Sequence, residues 1–343
     1  DAQSVAVAGP REVETFEQAQ ALGSRRLGFS VTQACPLRCR HCSVSAAPDL
    51  QANRLSAEFT DSIVRQMKDI ADAGITSIDF TGGEPTLARH FVVEIARAAK
   101  QFGITTGIVT AAHWARTDRQ ADAFLETFSA VDHWDISTDV YHLEFVSLDA
   151  VRRAYDKLIE RGRRPLIRIA YHDDMPRADA ELIEQVMAFA GRRVSFQPIG
   201  PVGRGADVAE SKRTTAERSD TGPCPTTGLL IRWDGQAAAC CAPASHENYA
   251  HPFWVGNANT TPVTTLLHRW RTSALLQTIR LWGFGPVVEW LASEGLDCSS
   301  VFRARVCDQC VAFLREKRLA EVAAARADGG DAGSVVALRS IES

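Results

Sequence analysis

The chain of 343 residues lacks several features that would assign it to common protein classes. It has no apolar run of the about 18 residues that a membrane span needs, because the best stretch, Leu281–Ala292, is short and carries Glu289. It has no basic excess, since the formal net charge is −4, so a nucleic-acid or anionic-lipid surface is not indicated. Residues 1–10 show no basic start followed by an apolar core, which argues against a secretory signal.

Sulfur is distributed unusually, with nine cysteines against three methionines. Because nine is odd and no secretory signal is visible, disulfides are not expected, and metal or redox chemistry is favoured. Three cysteines lie in Cys35-x3-Cys39-x2-Cys42, and no other follows until Cys224, which indicates two separate sites. Three close thiolates without a nearby fourth suit a four-iron cluster with one open iron better than zinc, which usually takes four ligands.

Between Gly28 and Gly200, short β-branched runs alternate with amphipathic helical patterns. This alternation predicts an α/β fold with right-handed crossovers and a parallel sheet. Six strands are too few for a closed eight-stranded barrel, so we expect a partial barrel. The predicted strands are Leu27–Val31, Ser77–Phe80, Thr105–Thr110, His133–Ser137, Leu166–Tyr171 and Val194–Pro198, and the predicted helices are Ala57–Ala73, Leu87–Phe102, Asp118–Phe128, Leu148–Arg161 and Ala178–Ala190.

Local signals support these boundaries. Ser56 has a hydroxyl that can cap the first helix. Gly74, Gly103 and Gly162 each stand just past a helix end, where a left-handed residue is favoured. Because functional residues of parallel βα folds gather at the carboxyl ends of the strands, the cysteine loop and residues 81–85 are expected on one rim.

Two motifs on this rim resemble those of a known family. The cysteine loop after the first strand, followed by Gly82-Gly83-Glu84-Pro85 after the second, closely resembles the radical S-adenosylmethionine (SAM) superfamily. The resemblance covers about residues 27–204 and implies a partial (β/α)6 barrel of the radical SAM type. It also implies that Cys35, Cys39 and Cys42 hold three irons of a [4Fe-4S] cluster whose fourth iron binds SAM. Reductive cleavage of SAM then gives a 5'-deoxyadenosyl radical that removes a hydrogen atom from the substrate.

The resemblance assigns further residues to SAM. Gly82 and Gly83 lack side chains, so their backbone can approach the ligand closely, and Glu84 can accept hydrogen bonds from its ammonium group. His41 precedes the third cysteine, a position that is usually aromatic in the family and packs near adenine. The cofactor-binding residues implied are Gly82, Gly83, Glu84, Pro85, His41, Ser137, Arg168 and Gln197.

Later strands contribute the remaining members of this set. Ser137 resembles the ribose-contacting hydroxyl position of the family. Arg168, inside the fifth strand, needs an anionic partner if it is buried, which is either the SAM carboxylate or the acid of a structural ion pair. Gln197 and Arg204 resemble a sixth-strand loop that is common in members with an auxiliary cluster.

Asp139 and His142, after the fourth strand, are candidate catalytic residues. They could bind substrate or handle a proton, because histidine titrates near neutral pH. They could equally be a capping carboxylate and a solvated histidine. Four further residues stand at strand ends and either contact substrate or pack against the rim: His113, Trp114, Tyr171 and His172.

The second group of cysteines resembles the twitch form of the auxiliary-cluster domain, a shortened relative of the SPASM domain. Its pattern is Cys224-x10-Gly235-x4-Cys240, a long gap, and then Cys307-x2-Cys310, with an Asp-Gly hairpin turn at Gly235. The resemblance implies that these four cysteines ligate a second [4Fe-4S] cluster, with zinc as the alternative. No cysteine follows Cys310, so the third cluster of the longer SPASM pattern is not expected.

Two cysteines fit neither pattern. Cys241 adjoins Cys240 and could replace it as a ligand, whereas Cys298 has no slot in either group. Each could be a catalytic hydrogen-atom donor that quenches a substrate radical and inverts a carbon. Each could also be a small buried hydrophobe, which is the favoured interpretation for either residue alone.

The same reasoning divides the chain into domains. We predict a terminal helix over Val311–Arg326, because its pattern is helical. The predicted divisions are a lead-in at 1–24, the radical SAM barrel at 25–205, a linker at 206–221, a small α+β auxiliary-cluster domain at 222–326 and a flexible tail at 327–343.

Oxidation of the substrate is the favoured function, with the auxiliary cluster accepting the second electron. The expected substrate is an aminocyclitol or sugar-type natural-product intermediate, because only 26 residues precede Leu27, too few for the leader-binding domain of many peptide-modifying relatives. The alternatives are redox-neutral epimerisation with a cysteine donor, radical cross-linking or epimerisation of a ribosomal peptide, and a non-catalytic iron–sulfur or zinc protein.

The expected partners follow from this chemistry. They are a small-molecule or peptide substrate and an external electron donor such as flavodoxin or ferredoxin, with neither nucleic acid nor membrane. Because clusters with an open iron are sensitive to oxygen, a reducing cytoplasm is the expected compartment.

Overall fold

A computed structural model gives the structure of the chain and describes residues 25–210, 222–224, 226, 228–240, 245, 250–301 and 305–329. In this part of the chain, strands and helices alternate up to the sixth strand, and a mainly helical region follows. The predicted mixed α/β fold with a parallel sheet is confirmed. No helix in these residues combines the length and apolar composition that a membrane crossing requires.

The described strands form one sheet, in the order β6-β5-β4-β3-β2-β1-β7-β8-β9. All neighbours from β6 to β7 are parallel, whereas β8 and β9 are antiparallel additions. The strands are β1 (Arg26–Ser30), β2 (Ser77–Thr81), β3 (Thr105–Thr110), β4 (His133–Thr138), β5 (Leu166–Tyr171), β6 (Val194–Pro198), β7 (Gly228–Arg232), β8 (Gln236–Ala238) and β9 (Trp254–Asn257).

Helices cover one face of the parallel part of the sheet and build most of the region after β9. Short 3-10 helices are formed by Pro85–Ala88 and Ser299–Val301. The described α-helices are α1 (Ala57–Asp72), α2 (Arg89–Gln101), α3 (Asp118–Thr127), α4 (Leu148–Glu160), α5 (Arg177–Ala190), α6 (Gly205–Glu210), α7 (Val263–Thr272), α8 (Ala274–Trp282), α9 (Gly285–Ser293), α10 (Val306–Arg315) and α11 (Lys317–Gly329).

Local chemistry sets these boundaries as the sequence predicts. The Ser56 hydroxyl accepts a hydrogen bond from the Phe59 amide and caps α1. Gly74, Gly103 and Gly162 follow α1, α2 and α4 with φ values of +86°, +71° and +71°. These left-handed conformations favour glycine, and each helix ends two residues before its glycine.

The core lies between the sheet and the helices. Alternate residues of each strand point to that side, so Leu27, Phe29, Ile78 and Phe80 are fully buried. The Phe29 ring meets the Phe91 ring of α2 edge-on, with 5.1 Å between centroids. This packing fixes the first two strands, whose carboxyl ends carry the two motifs.

The region after residue 222 continues the sheet of the barrel. β7 pairs in parallel with β1, and Arg26 through Ser30 lie opposite Gly228 through Arg232. The expected hairpin forms between β7 and β8, where the Gly235 amide donates to the Arg232 carbonyl over 2.8 Å and Gly235 has a φ of +82°. Cys224 and Cys240 therefore flank a hairpin that pairs with the strand preceding the first group of cysteines.

One prediction of local structure is wrong. The terminal helix over Val311–Arg326 is two helices, α10 and α11, which are separated at Glu316. Helix α10 also begins earlier, so it carries Cys307 and Cys310 in its first turns. The linker at 206–221 stays a prediction: its first residues belong to the short helix α6, and residues 211–221 lie outside the described residues, as do 1–24 and 330–343.

Candidate functional site

The cysteine loop follows β1 and folds back on itself. The Cys35 amide donates to the Ala47 carbonyl over 3.2 Å, which closes the loop. Backbone amides also reach two sulfur atoms: Leu37 N lies 3.4 Å from Cys35 Sγ, and Ala46 N lies 3.4 Å from Cys42 Sγ. Cys39 is 5% exposed, so the loop presents its thiols from a mostly buried position.

The Gly82–Pro85 turn is joined to this loop by backbone hydrogen bonds. The Gly83 amide donates to the Thr32 carbonyl over 2.6 Å, and the Glu84 amide donates to the Ala34 carbonyl over 2.8 Å. A Cβ atom on Gly83 would lie 2.2 Å from the Ala34 carbonyl oxygen, and one on Gly82, whose φ is +121°, would lie 2.6 Å from the Thr32 oxygen. A Cβ at either position would therefore clash with the cysteine loop, and the expected close approach of these glycines to SAM stays a prediction.

Glu84 is buried and its carboxylate is held by four donors. Oε1 accepts from the Thr86 hydroxyl over 2.7 Å, from the Thr86 amide over 3.3 Å and from the Thr110 hydroxyl over 2.9 Å. Oε2 accepts from the Ala111 amide over 2.9 Å and lies 3.6 Å from His113 Nδ1. Burial raises the pKa of Glu84, but His113 and the amide donor outweigh it and hold the pKa below its usual range. Glu84 thus joins the end of β2 to the end of β3, and its contact with a SAM ammonium stays a prediction.

Arg204 clamps the cysteine loop from the far end of the barrel. Its Nε donates to the Cys39 carbonyl over 3.0 Å, and its Nη2 donates to the Ala46 carbonyl over 2.7 Å. Its backbone amide donates to the Cys42 carbonyl over 3.0 Å. The preceding Gly203 has a φ of +56°, and a Cβ there would lie 2.2 Å from the Ser43 oxygen, so the two loops touch through backbone.

The thiols of this loop suit a cationic group. Burial raises the pKa of the Cys35 thiol to about 12, with the nearby Glu84 carboxylate adding to the rise. Burial also raises the pKa of Cys39, and Asp139 adds to that rise. A metal ion or iron–sulfur cluster would offset this penalty by neutralising the thiolates. Arg204 is the only protein cation among the main causes of the pKa shifts of Cys35 and Cys39, so these two buried thiols fit a site that takes a cationic group.

Asp139 is the centre of a second polar group on the rim. It is 1% exposed, and its Oδ2 lies 2.6 Å from His142 Nδ1 and 3.1 Å from His41 Nε2. Its Oδ1 accepts from the amides of Tyr141 and His142 over 2.9 and 3.0 Å. Burial raises the pKa of Asp139, but the two histidines outweigh it and the net shift is strongly downward. The three side chains also offer ligand atoms within 4.8 Å of one another, as a metal site would, but the distances are those of hydrogen bonds.

His142 contributes the imidazole that lies nearest to the Asp139 carboxylate. Burial lowers its pKa, but the Asp139 carboxylate outweighs burial and raises the pKa above the usual value. Asp139 holds Nδ1, so the imidazole is oriented as a histidine–carboxylate dyad. The structure brings these two predicted catalytic residues together, and it adds His41 from the cysteine loop to the same carboxylate.

Sequence reasoning missed a chain of contacts beside this dyad. The His41 ring stacks on the Tyr141 ring, with centroids 5.1 Å apart and planes at 21°. The Tyr141 hydroxyl lies 2.8 Å from His172 Nε2, and His172 Nδ1 lies 2.8 Å from Asp179 Oδ2. His172 and Asp179 are 7% and 2% exposed. The ends of β4 and β5 are thereby tied to the cysteine loop through side chains.

The other predicted SAM contacts lie on the inner face of β4, β5 and β6. Ser137 is in register with Arg168, so the two share that face. Arg168 forms an ion pair with Asp135, which is the structural alternative, and its Nη1 lies 3.5 Å from Gln197 Oε1. Arg168 Nε and His41 Nδ1 are buried and have no hydrogen-bond partner among the described residues. Buried polar atoms are normally satisfied, so these two nitrogens fit a site that takes a ligand.

The first two cysteines of the second group lie at the two ends of the β7–β8 hairpin. The Cys224 amide donates to the Ile279 carbonyl of α8 over 3.0 Å. Two residues later, the Thr226 hydroxyl donates to the carbonyl of Ala239, the neighbour of Cys240, over 3.4 Å. This bond brings the two cysteine-bearing segments together.

Cys307 and Cys310 lie on α10, and arginines at the two ends of this helix contact the barrel. Arg305, which caps the start of α10, pairs with Asp173 after β5 over 3.1 Å and lies 3.5 Å from the Ile199 carbonyl. Arg315, at the other end of α10, donates to the Pro201 carbonyl over 3.3 Å. Both contacts fix the helix against the segment that follows β6.

The two unassigned cysteines have different outcomes. Cys298 is 6% exposed, its thiol donates to the Leu296 carbonyl over 3.6 Å, and burial raises its pKa. These properties agree with the small buried hydrophobe rather than with a residue open to substrate. Cys241 lies outside the described residues, so its role as a ligand or donor stays a prediction.

A cationic and aromatic group at the end of β7 was also missed. Arg232 lies opposite Ser30 at the carboxyl end of β1 and pairs with Asp234. Its guanidinium is 5.0 Å from the centre of the Trp254 ring, which stacks on His251 with centroids 5.2 Å apart. Only the pairing of β7 with β1 brings this group to the rim, and no local pattern in the sequence announces it.

Taken together, these features define an α/β protein with three cysteine thiols in one loop at the rim of its parallel strands. Comparison with protein families identifies the class: residues 29–162 match the Radical SAM superfamily. This part of the chain is therefore a radical SAM domain, which implies SAM and a [4Fe-4S] cluster as cofactors.

Individual relatives agree with this assignment. The chain is 21% identical over 234 residues to YydG of Bacillus subtilis (strain 168), whose name assigns it to peptide biosynthesis, and the match covers 65% of this chain and 71% of that protein. It is 37% identical over 94 residues to the PqqA peptide cyclase of Rhodopseudomonas palustris, covering 27% of this chain and 24% of the cyclase. The second match thus spans about a quarter of that relative's length.

Solved structures confirm the fold. The structure of native anSMEcpe with bound AdoMet superposes with a TM-score of 0.54 at 14% identity, and covers 87% of this chain and 99% of that one. At this level of identity the likeness establishes the partial-barrel fold alone.

Proposed function

We propose that the chain is a radical SAM enzyme that removes a hydrogen atom from a peptide and oxidises the resulting radical. The observation that carries the radical chemistry is the cysteine loop, which is held on one side by Gly83 and Glu84 and on the other by Arg204. The observation that supports a peptide is the similarity to YydG and to a PqqA peptide cyclase, which both act in peptide chemistry by name. This substrate class replaces the small natural product that the sequence favoured.

The proposal assigns cluster binding and SAM binding to different residues. Cys35, Cys39 and Cys42 would hold the SAM-binding cluster, and Arg204 keeps their loop in place. When bound, SAM and this cluster supply a 5'-deoxyadenosyl radical. His41 and Arg168 each keep a buried nitrogen available to SAM, and Ser137, Glu84 and Gln197 complete the predicted set.

His142 is the proposed proton acceptor. Loss of a hydrogen atom and then of an electron leaves a substrate cation. This cation must release a proton to give a product that is two hydrogens lighter. The Asp139 carboxylate holds His142 Nδ1 over 2.6 Å and stabilises the imidazolium that forms when Nε2 takes that proton. In this proposal Cys224, Cys240, Cys307 and Cys310 hold a second cluster as the electron acceptor, and an external flavodoxin or ferredoxin supplies the electron that cleaves SAM.

One further function is supported by the same dyad. A general base beside the site would also serve the dehydrogenation of a hydroxyl group in an aminocyclitol or sugar-type substrate. Redox-neutral epimerisation, in contrast, needs a thiol donor. The buried Cys298 gives it little support, and Cys241, the other candidate donor, lies outside the described residues.

The test begins with the cofactors. Anaerobic reconstitution should give about eight iron and eight sulfide ions per chain if two clusters bind, and about half of that if one binds. Reduced protein with SAM should then form 5'-deoxyadenosine, measured by liquid chromatography and mass spectrometry. Absence of 5'-deoxyadenosine from protein with a full set of iron would refute the radical SAM chemistry.

The reaction type is read from the product. Peptide from a random library, incubated with reduced protein and SAM in deuterated water, should become two hydrogens lighter on oxidation. Incorporation of one solvent deuterium without other change of mass would instead indicate epimerisation. Dehydrogenation of aminocyclitols in the absence of any peptide product would favour the small-molecule function.

A further inference from the structure

Strand β6 is an outer strand of the described sheet. It pairs with β5 alone, and the flanking bonds are Ile167 N to the Arg193 carbonyl, 2.9 Å, and Ile199 N to the Tyr171 carbonyl, 3.0 Å. In a parallel ladder, alternate residues of a strand bond to a given neighbour. Residues 193, 195, 197 and 199 therefore face β5, and Val194 and Phe196 direct their N–H and C=O groups away from the sheet.

Between Val194 and Gln197, the described structure gives this edge no charged side chain and no bulge. Charged side chains, bulges or covering segments normally blunt such a row of open backbone groups. Here the two outward residues are apolar, and Phe196 is 47% exposed. The Phe196 ring meets the Tyr171 ring edge-on, with centroids 6.5 Å apart, so an apolar surface flanks the open backbone. Only Pro198, which has no N–H, limits the edge at its end.

The edge leads into the cysteine loop. After Pro198 the chain reaches Arg204 within six residues, and Arg204 binds the carbonyls of Cys39, Cys42 and Ala46. An extended chain laid along β6 would therefore arrive at the rim where hydrogen abstraction is proposed. No other described strand combines an open edge with this direct connection to the three cysteines.

We propose that an extended segment of the peptide substrate adds to β6 as a further strand. Val194 and Phe196 would each donate one N–H and accept with one C=O, and the Phe196–Tyr171 surface would take an apolar peptide side chain. The inference rests on the proposed function, from which it takes the peptide. A substrate is favoured over a second copy of this chain because two outward residues provide too few contacts for a stable dimer.

The experiment uses the full reconstituted chain with SAM under anaerobic conditions. A random mRNA-display library of peptides about 12 residues long, enough for a short strand and its flanks, is the probe. Enriched peptides are then measured by fluorescence anisotropy on wild type, Phe196→Pro and Phe196→Ala. Proline removes an outward N–H without disturbing the bonds to β5, whereas alanine keeps that N–H and removes only the ring.

Phe196→Pro should weaken binding about 3- to 10-fold more than Phe196→Ala, which is the fold-change of one neutral hydrogen bond. Val194→Pro removes the second outward N–H and should act in the same direction, so the test does not depend on one variant. N-methylation of alternate peptide residues should weaken binding with a period of two. Iron content and circular dichroism show whether each variant is folded.

Equal affinity of the peptides for wild type and both proline variants would overturn the inference, as would failure to enrich any peptide. Slow hydrogen exchange at the amides of Val194 and Phe196 without peptide would mean that another strand covers the edge, which also overturns the inference. The molecular mass of the protein in solution then distinguishes a second copy of the chain from a segment of the same chain. The proposed function is tested separately. Peptide modification together with unchanged binding to the proline variants would refute only the addition of a peptide strand to β6. Peptide binding at β6 without formation of 5'-deoxyadenosine would refute only the radical SAM chemistry.

Discussion

Replacing Arg204 by methionine should loosen the cysteine loop and release iron. The guanidinium donates to the Cys39 and Ala46 carbonyls over 3.0 and 2.7 Å. Hydrogen bonds from a charged donor contribute about 1.5–3 kcal/mol each. Because Arg204 is half-buried and water can replace part of these bonds, we expect a net loss of about 3 kcal/mol in the free energy that holds the loop. At about 1.4 kcal/mol per tenfold, this loss lowers cluster affinity by about a hundredfold.

The assay is a chelator challenge of the reconstituted protein under anaerobic conditions, in which transfer of iron to a coloured chelator is followed against time. Arg204→Lys should lie between wild type and Arg204→Met, because an ammonium group keeps the charge but cannot span two carbonyls. Arg326→Met, a change of the same type on the last helix, is the matched control and should behave as wild type. Iron retention in Arg204→Met that equals the control would refute the clamp.

Three further variants test other parts of the site. Gly83→Ala places a Cβ 2.2 Å from the Ala34 carbonyl oxygen, so the turn and the cysteine loop must separate. The soluble yield and the Tm should fall sharply, and an unchanged Tm would contradict the contact. Glu84→Gln puts an amide group where four donors converge, so Tm should fall by several degrees, the effect of about 1–3 kcal/mol; the argument fails if calorimetry finds no change. Cys224→Ala should lower iron to about half by colorimetric assay, whereas Cys298→Ala should leave it unchanged, and the reverse pattern would reassign the ligands.

The positions of the motifs were predictable because they depend on local signals. Gly103, Gly162 and Gly191 stand between the preceding helices and β3, β5 and β6, and these three strands begin and end as predicted. Parallel strands place their carboxyl ends on one rim, which is why the cysteine loop and the Gly82–Pro85 turn were expected together. The contact of Gly83 with the cysteine loop was not predicted, because sequence cannot tell a close approach to a ligand from a close approach to another loop.

The partners of buried charges could not be predicted from sequence. Arg204 and Cys39 are 165 residues apart, and only the closing turn of the barrel after β6 brings them into contact. The Tyr141–His172–Asp179 contacts join two strand ends and one helix start, so they depend on the register of β4 with β5. Single residues of these types are common at strand ends, and no spacing rule marks them as a group.

The segment between Ile199 and Arg204 connects the two groups of cysteines physically. Arg305 and Arg315, at the two ends of the helix that carries Cys307 and Cys310, contact the carbonyls of Ile199 and Pro201. A few residues later, Arg204 grips the carbonyl groups of the cysteine loop. A displacement of α10 would therefore be passed to this loop through a short stretch of backbone, not through a flexible linker. In the proposed two-cluster enzyme the order of cluster loading should therefore matter, because ligation of Cys307 and Cys310 would fix α10 and, through it, the Arg204 contacts that the first cluster needs.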